Sequence, residues 1–258
     1  MTATLTTDEA LTAHLARGGR IAGKDEVSRG YRAELMRLMA TLVDSELAGA
    51  AGLAEYINRA PGLKERRIAA RIVSEKFGHA EAVLMLMEPF GVNPALYVRE
   101  HSWTARLDRD LDLGNRRVGG DRRLNVFHYP IDGWIDAVTF NWLMSTASTL
   151  QLGELAQCSY APLAETMTGI VAREAEHASQ GEKGLADSIK RSGSMIAAQA
   201  SAAYWRPRVA ASFGRTDSDR FALYTAYGLR RHSNAELLAR WTTAIAPRLA
   251  ALGLPPGA

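Results

Sequence analysis

The 258-residue sequence has a single cysteine, Cys158, so neither an intrachain disulfide nor a thiolate metal cluster can be built from it. It lacks any apolar run near the roughly 20 residues that a membrane-spanning helix requires. The N-terminus also lacks the charged, apolar, small-residue order of a secretory leader. A cytoplasmic protein without a membrane span is therefore expected. Neither sign of charge dominates: 31 Lys and Arg face 28 Asp and Glu, for a net charge of +3. The arginines are interleaved with acids, and no basic patch with interleaved aromatics occurs, which argues against nucleic acid as a partner. Convincing strand runs, internal repeats and low-complexity segments are missing as well.

What is present is helix-forming sequence. Ala, Leu, Arg, Glu and Met dominate, and apolar residues recur at three- and four-residue steps. Thr6 with Glu9 resembles a capping box ahead of a short amphipathic piece carrying Leu11 and Leu15, and Gly18, Gly19 and Gly23 then loosen the chain. Residues 1–26 are expected to form a flexible segment with a short helix, residues 27–252 the helical domain, and residues 253–258 a frayed tail. Inside the domain the breakers delimit helices at about 31–56 and 63–88, a short one opened by Pro94, then 132–155 and 162–189. Shorter outer helices are expected at 195–206, 217–227 and 234–252. Residues 106–123, with alternating Asp and Arg and several glycines, read as an exposed, solvated loop.

Four long helices in antiparallel pairs form the scaffold on which carboxylate-bridged di-iron sites are built. The pattern sought is Glu, Glu-x-x-His, Glu or Asp, Glu-x-x-His, because positions three apart lie about 60° around the helix and one turn along, within reach of one metal. Glu174 and His177 fit it on the fourth long helix. Glu46, among Leu47, Ala48, Gly49 and Ala50, stands where a lone carboxylate is costly unless paired or metal-bound. On the second long helix His79 is in place, but three residues earlier stands Lys76, a cation that cannot coordinate while protonated; Glu75 lies four residues before His79. The third offers no Asp or Glu between Asp136 and Glu154, and Ser145 occupies its central level.

The chain also carries, in order, Ser45-Glu46, Arg59-Ala60-Pro61, Gly78-His79, Phe127-x-Tyr129-Pro130, Cys158-Ser159-Tyr160, Glu174-x-x-His177, Gln180-Gly181, Trp205-x-Pro207, Phe213-Gly214 and Ser233-Asn234-x-Glu236-Leu237. Together these resemble the catalytic alpha subunit family of the phenylacetyl-CoA epoxidases, over roughly residues 38–241. The resemblance implies an all-α, ferritin-like four-helix bundle with additional peripheral helices, a di-iron centre activating dioxygen, an aryl-CoA substrate, a separate reductase, and a homo- or hetero-oligomer with a related helical, structural subunit. Carried over residue by residue, the ligand positions fall on Glu46, Lys76, His79, Ser145, Glu174 and His177, of which Lys76 and Ser145 depart from the pattern. The acidic positions that support the histidines fall on Glu75 and Arg173; the second reverses the charge.

Four carboxylates normally balance the four positive charges of two divalent ions, whereas here Glu46 and Glu174 give −2 and Lys76 adds +1. The expectation is thus iron bound as one ion, through His79, His177 and a carboxylate, or no iron at all. Two functions stay open: an oxygenase-family protein acting on a CoA- or carrier-linked aromatic acid through a remodelled site, and a non-catalytic partner subunit of a multicomponent oxygenase with a Lys76-Glu46-Glu174 salt-bridge core. Without the resemblance, Glu174 and His177 would read as an exposed helix pair and Lys76 as a solvated lysine. Trp142 and Met144 read as core. His14, His101, His128 and His232 have no partner at metal-ligand spacing. Arg59, Lys64, Arg66, Arg67 and Arg71 suit either CoA phosphates or a solvated helix face.

Overall fold

The computed structural model describes residues 5–24, 27–114, 116 and 118–255. Four long helices dominate: α2 (Arg29–Ala54), α3 (Leu63–Met87), α5 (Gly133–Leu155) and α6 (Ala161–Ser192). Around them lie α1 (Asp8–Ala16), α4 (Pro94–Arg99), α7 (Ile196–Ala211), α8 (Phe221–Ala226) and α9 (Asn234–Ala251). Among the described residues the sole extended pairing is an isolated bridge between Ile21 and Tyr160.

Local chemistry sets most boundaries. Ser28 caps α2, its hydroxyl accepting from the Tyr31 N–H at 3.2 Å, and Ser233 and Glu236 close a reciprocal capping box on α9. Pro162 opens α6, and Gly193, at φ 64°, ends it in the left-handed conformation that a side chain disfavours. At α1 the cap is Thr7, whose hydroxyl accepts from Ala10 N–H, in place of the expected Thr6 and Glu9 pair. Helix α7 runs through Pro207 where a stop at Arg206 was expected, because Trp205 and Val209, one turn apart and fully buried, outweigh the lost hydrogen bond. Helix α8 is shorter than the expected 217–227 segment.

The antiparallel hairpins α2–α3 and α5–α6 pack as a four-helix, ferritin-like bundle. Glu65 meets Arg191 at 3.5 Å and Glu75 meets His177 at 2.6 Å, so α3 and α6 run in opposite directions. Helix α5 is buried on every side between residues 136 and 147, since α6, α7 and α9 all pack on it. Gly181 makes the α5–α6 contact possible: a Cβ there would lie 2.5 Å from the Trp142 backbone nitrogen. Leu11 and Ile21 belong to the core beside α2 and α6, so the segment ahead of Val27 contributes to the interior. The last three residues of the expected tail lie outside the described ones.

The expected loop at 106–123 does keep Asp108, Asp110, Asp112, Arg116 and Arg122 exposed, but other arginines tie it to the bundle. Arg106 donates to the Ala48 carbonyl at 2.8 Å, Arg109 grips Asp136 with two bonds of 2.9 and 3.1 Å, and buried Arg123 pairs with Asp121. Arg106, Arg109 and Arg123 depart from that solvated pattern because backbone carbonyls and aromatic faces receive them.

Candidate functional site

The antiparallel register brings Glu46, Lys76, His79, Glu174 and His177 to one level in the bundle centre, all of them buried. The Lys76 ammonium donates to Glu174 Oε1 at 2.8 Å and to Glu46 Oε2 at 3.3 Å. His79 Nδ1 faces the same two oxygens at 3.8 and 3.7 Å, beyond hydrogen-bond distance. His177 Nδ1 lies 3.1 Å from Glu174 Oε1, and its Nε2 lies 2.6 Å from Glu75 Oε2, so each ring nitrogen faces a carboxylate. Asn141 on α5 donates to the His177 carbonyl at 2.8 Å, fixing that turn of α6.

The electrostatics favour a charged cluster. Burial alone would lower the Lys76 pKa, but the adjacent Glu174 and Glu46 carboxylates outweigh it and hold the ammonium above its ordinary value. Burial alone would likewise raise Glu174, and Lys76 with His177 reverse that, keeping the carboxyl well below the usual range. Lys76 is thus the cation that neutralises two buried carboxylates.

These residues do not fit a pair of divalent ions. The ammonium already bonds the two glutamate oxygens that would coordinate, α5 offers buried neutral Ser145 where the pattern expects a carboxylate, and His177 is engaged through both nitrogens. A smaller set remains: one ligand atom each from Glu46, His79 and Glu174, all within 4.8 Å of one another. The Nδ1 atom of His79 and the Oε2 atom of Glu174 are buried without a hydrogen-bond partner, the kind of atoms a single ion would use.

Of the flanking positions, Glu75 reaches the site by bonding His177 from across the helix interface, with 23% of its side chain exposed. Arg173 does not: it pairs with Glu176 at 2.9 Å on the outer surface of α6.

A cavity of about 260 Å³ has Glu46 in its lining and is walled by Leu38, Leu42, Phe127, Met144, Leu152 and Leu155, with Arg37, Arg220 and Arg230 among its polar groups. It shares Leu124, Ser212, Gly214, Ser218, Arg220 and Asn234 with a wider, more polar cleft of about 690 Å³. The cations along this path differ from Arg59, in the turn before α3, and from Lys64, Arg66, Arg67 and Arg71 on α3, none of which lines either cavity. Periodicity places a residue on a helix face but not beside a cavity built from the distant turn before α9; the clustered Arg230, Arg231 and His232 next to the Ser233 cap were the available signal. His232, without a partner at metal spacing, proves to pair with buried Glu154 at 2.7 Å.

The profile of the phenylacetic acid catabolic protein family matches residues 1–257. The chain is 26% identical to the A component of 1,2-phenylacetyl-CoA epoxidase from Escherichia coli (strain K12) over 255 residues, covering 97% of this chain and 77% of that protein. It is 28% identical to benzoyl-CoA oxygenase component B of Aromatoleum evansii over 177 residues, 67% of this chain and 36% of the relative. No helix among the described residues is long and apolar enough to cross a membrane. The chain therefore belongs to the phenylacetic acid catabolic protein family, and its relatives are components of aryl-CoA oxygenases.

Proposed function

We propose that this protein is an aryl-CoA-binding member of its oxygenase family in which an ion-pair cluster replaces the metal pair, leaving room for at most one ion. The observation that carries this reading is the Lys76 ammonium held between Glu46 and Glu174. The apolar cavity lined in part by Glu46 and opening into a polar cleft supports a ligand with a flat apolar acyl group and a long polar carrier, as in a CoA- or carrier-linked aromatic acid. Glu46 would face the acyl group, Lys76 would hold the Glu46 carboxylate in place, and the leucine and phenylalanine walls would exclude water. Were one ion bound, Glu46, His79 and Glu174 would hold it, and it would supply Lewis-acid or redox chemistry.

The test is iron content after growth with added iron, for the wild type and for the Lys76→Glu, Ser145→Asp double variant. The expected result is one iron or none per wild-type chain, with a gain in the double variant. About two irons per wild-type chain would refute the replacement.

A second reading is a non-catalytic subunit that assembles with a related helical partner. It is favoured by the exposed Phe77 and Met85, two turns apart on the outer side of α3, at 45% and 54% accessibility. Co-purification with an oxygenase component, lost in Phe77→Asp, Met85→Asp, together with no turnover of aryl-CoA esters by the isolated chain, would select it.

A further inference from the structure

Among the arginines of the inner cavity, Arg230 is set apart by its partners. Arg37 and Arg220 share the Glu34 carboxylate, at 3.2 and 2.7 Å. Arg230 is partly buried in the turn between α8 and α9, and its guanidinium donates to the neutral Asn234 Oδ1 at 2.6 Å. The carboxylates that line the same cavity are already engaged. Glu46 is held by Lys76, and Glu154 accepts from the Arg231 and His232 N–H groups at 2.6 and 2.8 Å and from His232 Nδ1. Among the described residues no carboxylate bonds Arg230.

The surroundings hold this cation in place. Glu154 pins the two residues after it, the backbone N–H of Arg230 itself reaches the Tyr224 carbonyl, and Asn234 donates to the Arg215 carbonyl at 2.7 Å, which turns its oxygen toward the guanidinium. Burial presses the Arg230 pKa down, and the nearby Glu154 charge offsets only part of that. A partly buried, positioned guanidinium has four side-chain N–H donors beyond the one it gives to Asn234, free to meet a ligand in the cavity it lines. It matches a planar, two-oxygen anion.

We propose that Arg230 anchors an anionic oxygen group, carboxylate or phosphate, of the molecule that occupies the cleft. This deepens, and rests on, the reading of the cleft as an aryl-CoA site, and it makes the ligand's charge beside the α8–α9 turn a determinant of specificity. Asn234 lines both the inner cavity and the outer cleft, so the anion would sit beside the passage between them.

Calorimetric titration of the full chain with CoA, phenylacetyl-CoA and phenylacetate, for wild type, Arg230→Met and Arg230→Lys, tests the anchor. At least one probe should bind wild type and weaken about tenfold or more in Arg230→Met, with partial recovery in Arg230→Lys, the scale of one lost charged hydrogen bond. An effect confined to the two CoA compounds identifies phosphate as the anion, and an effect on phenylacetate identifies carboxylate. Equal binding by wild type and Arg230→Met overturns the anchor and leaves the cleft reading standing. Binding of phenylacetate with neither CoA compound overturns the CoA reading and keeps the anchor, whereas binding of none overturns both. Thermal unfolding supplies the structural control: Arg230→Met should melt no lower than wild type, and a fall of more than about 5 °C would assign Arg230 to folding instead.

Discussion

At the scale of the residue, the decisive group is Lys76. Its position three residues ahead of His79 was legible from helical spacing alone, because the period of 3.6 fixes which side chains share a level. Whether it is charged depended on distances between three helices, and Glu174 at 2.8 Å with Glu46 at 3.3 Å answers that it is. Removing it strands two buried carboxylates, so Lys76→Met should cost about 3 to 5 kcal/mol in urea unfolding. Adding Glu46→Gln and Glu174→Gln should restore most of that loss. A full-cost loss that the triple variant fails to recover would show that Lys76 acts by packing rather than by charge. Glu154 offers a pH prediction away from the bundle centre. Burial alone would raise its carboxyl, but His232 and two backbone N–H groups overcome this and hold it below the usual range. A depressed folded value contributes stability above the unfolded pKa of about 4.3, and that contribution fades as pH falls through the folded value. The stability gap between wild type and Glu154→Gln should thus be widest near neutrality and shrink toward pH 3 in urea midpoints; a gap independent of pH would argue against it.

At the scale of the element, α5 and α6 meet closely because Gly181 presents no side chain to the Trp142 backbone. Gly181→Ala should push the helices apart and lower stability by about 1 to 3 kcal/mol, even though alanine is the better helix former. Hydrogen exchange of the Asn141 and His177 turns would report the local loosening. Ser233→Ala should cost about 1 kcal/mol through the α9 cap, and it should also loosen the turn that carries Arg230. The starts of α3, α6 and α9 were legible because helix breakers and prolines act locally. The course of α7 through Pro207 was not, because it depends on what Trp205 and Val209 bury against.

At the scale of the whole molecule, arginines of the largely exposed segment before α5 tie it to the bundle. Arg109 links that segment to Asp136 on α5 and stacks on Tyr204 of α7, with its guanidinium carbon 3.7 Å from the ring centroid. Because Arg109 keeps part of its surface in water, Arg109→Met should cost about 2 kcal/mol rather than the full penalty of a broken buried pair. Urea unfolding of Arg109→Met, Asp136→Asn and the double variant should give a positive coupling, and additive losses would dissolve the link.

The sequence by itself determined that the chain is helical, where the long helices start to within a residue or two, and that Lys76 with His79 and Glu174 with His177 stand three residues apart on their helices, because hydrophobic period, caps and i,i+3 spacing are local properties. Only the tertiary structure decided that Lys76 bridges two carboxylates, that Glu75 serves His177 while Arg173 faces solvent, and that Arg230 enters a cavity from the α8–α9 turn. The physical reason is that ion pairing and desolvation depend on distances between segments as many as 186 residues apart, which no local pattern encodes.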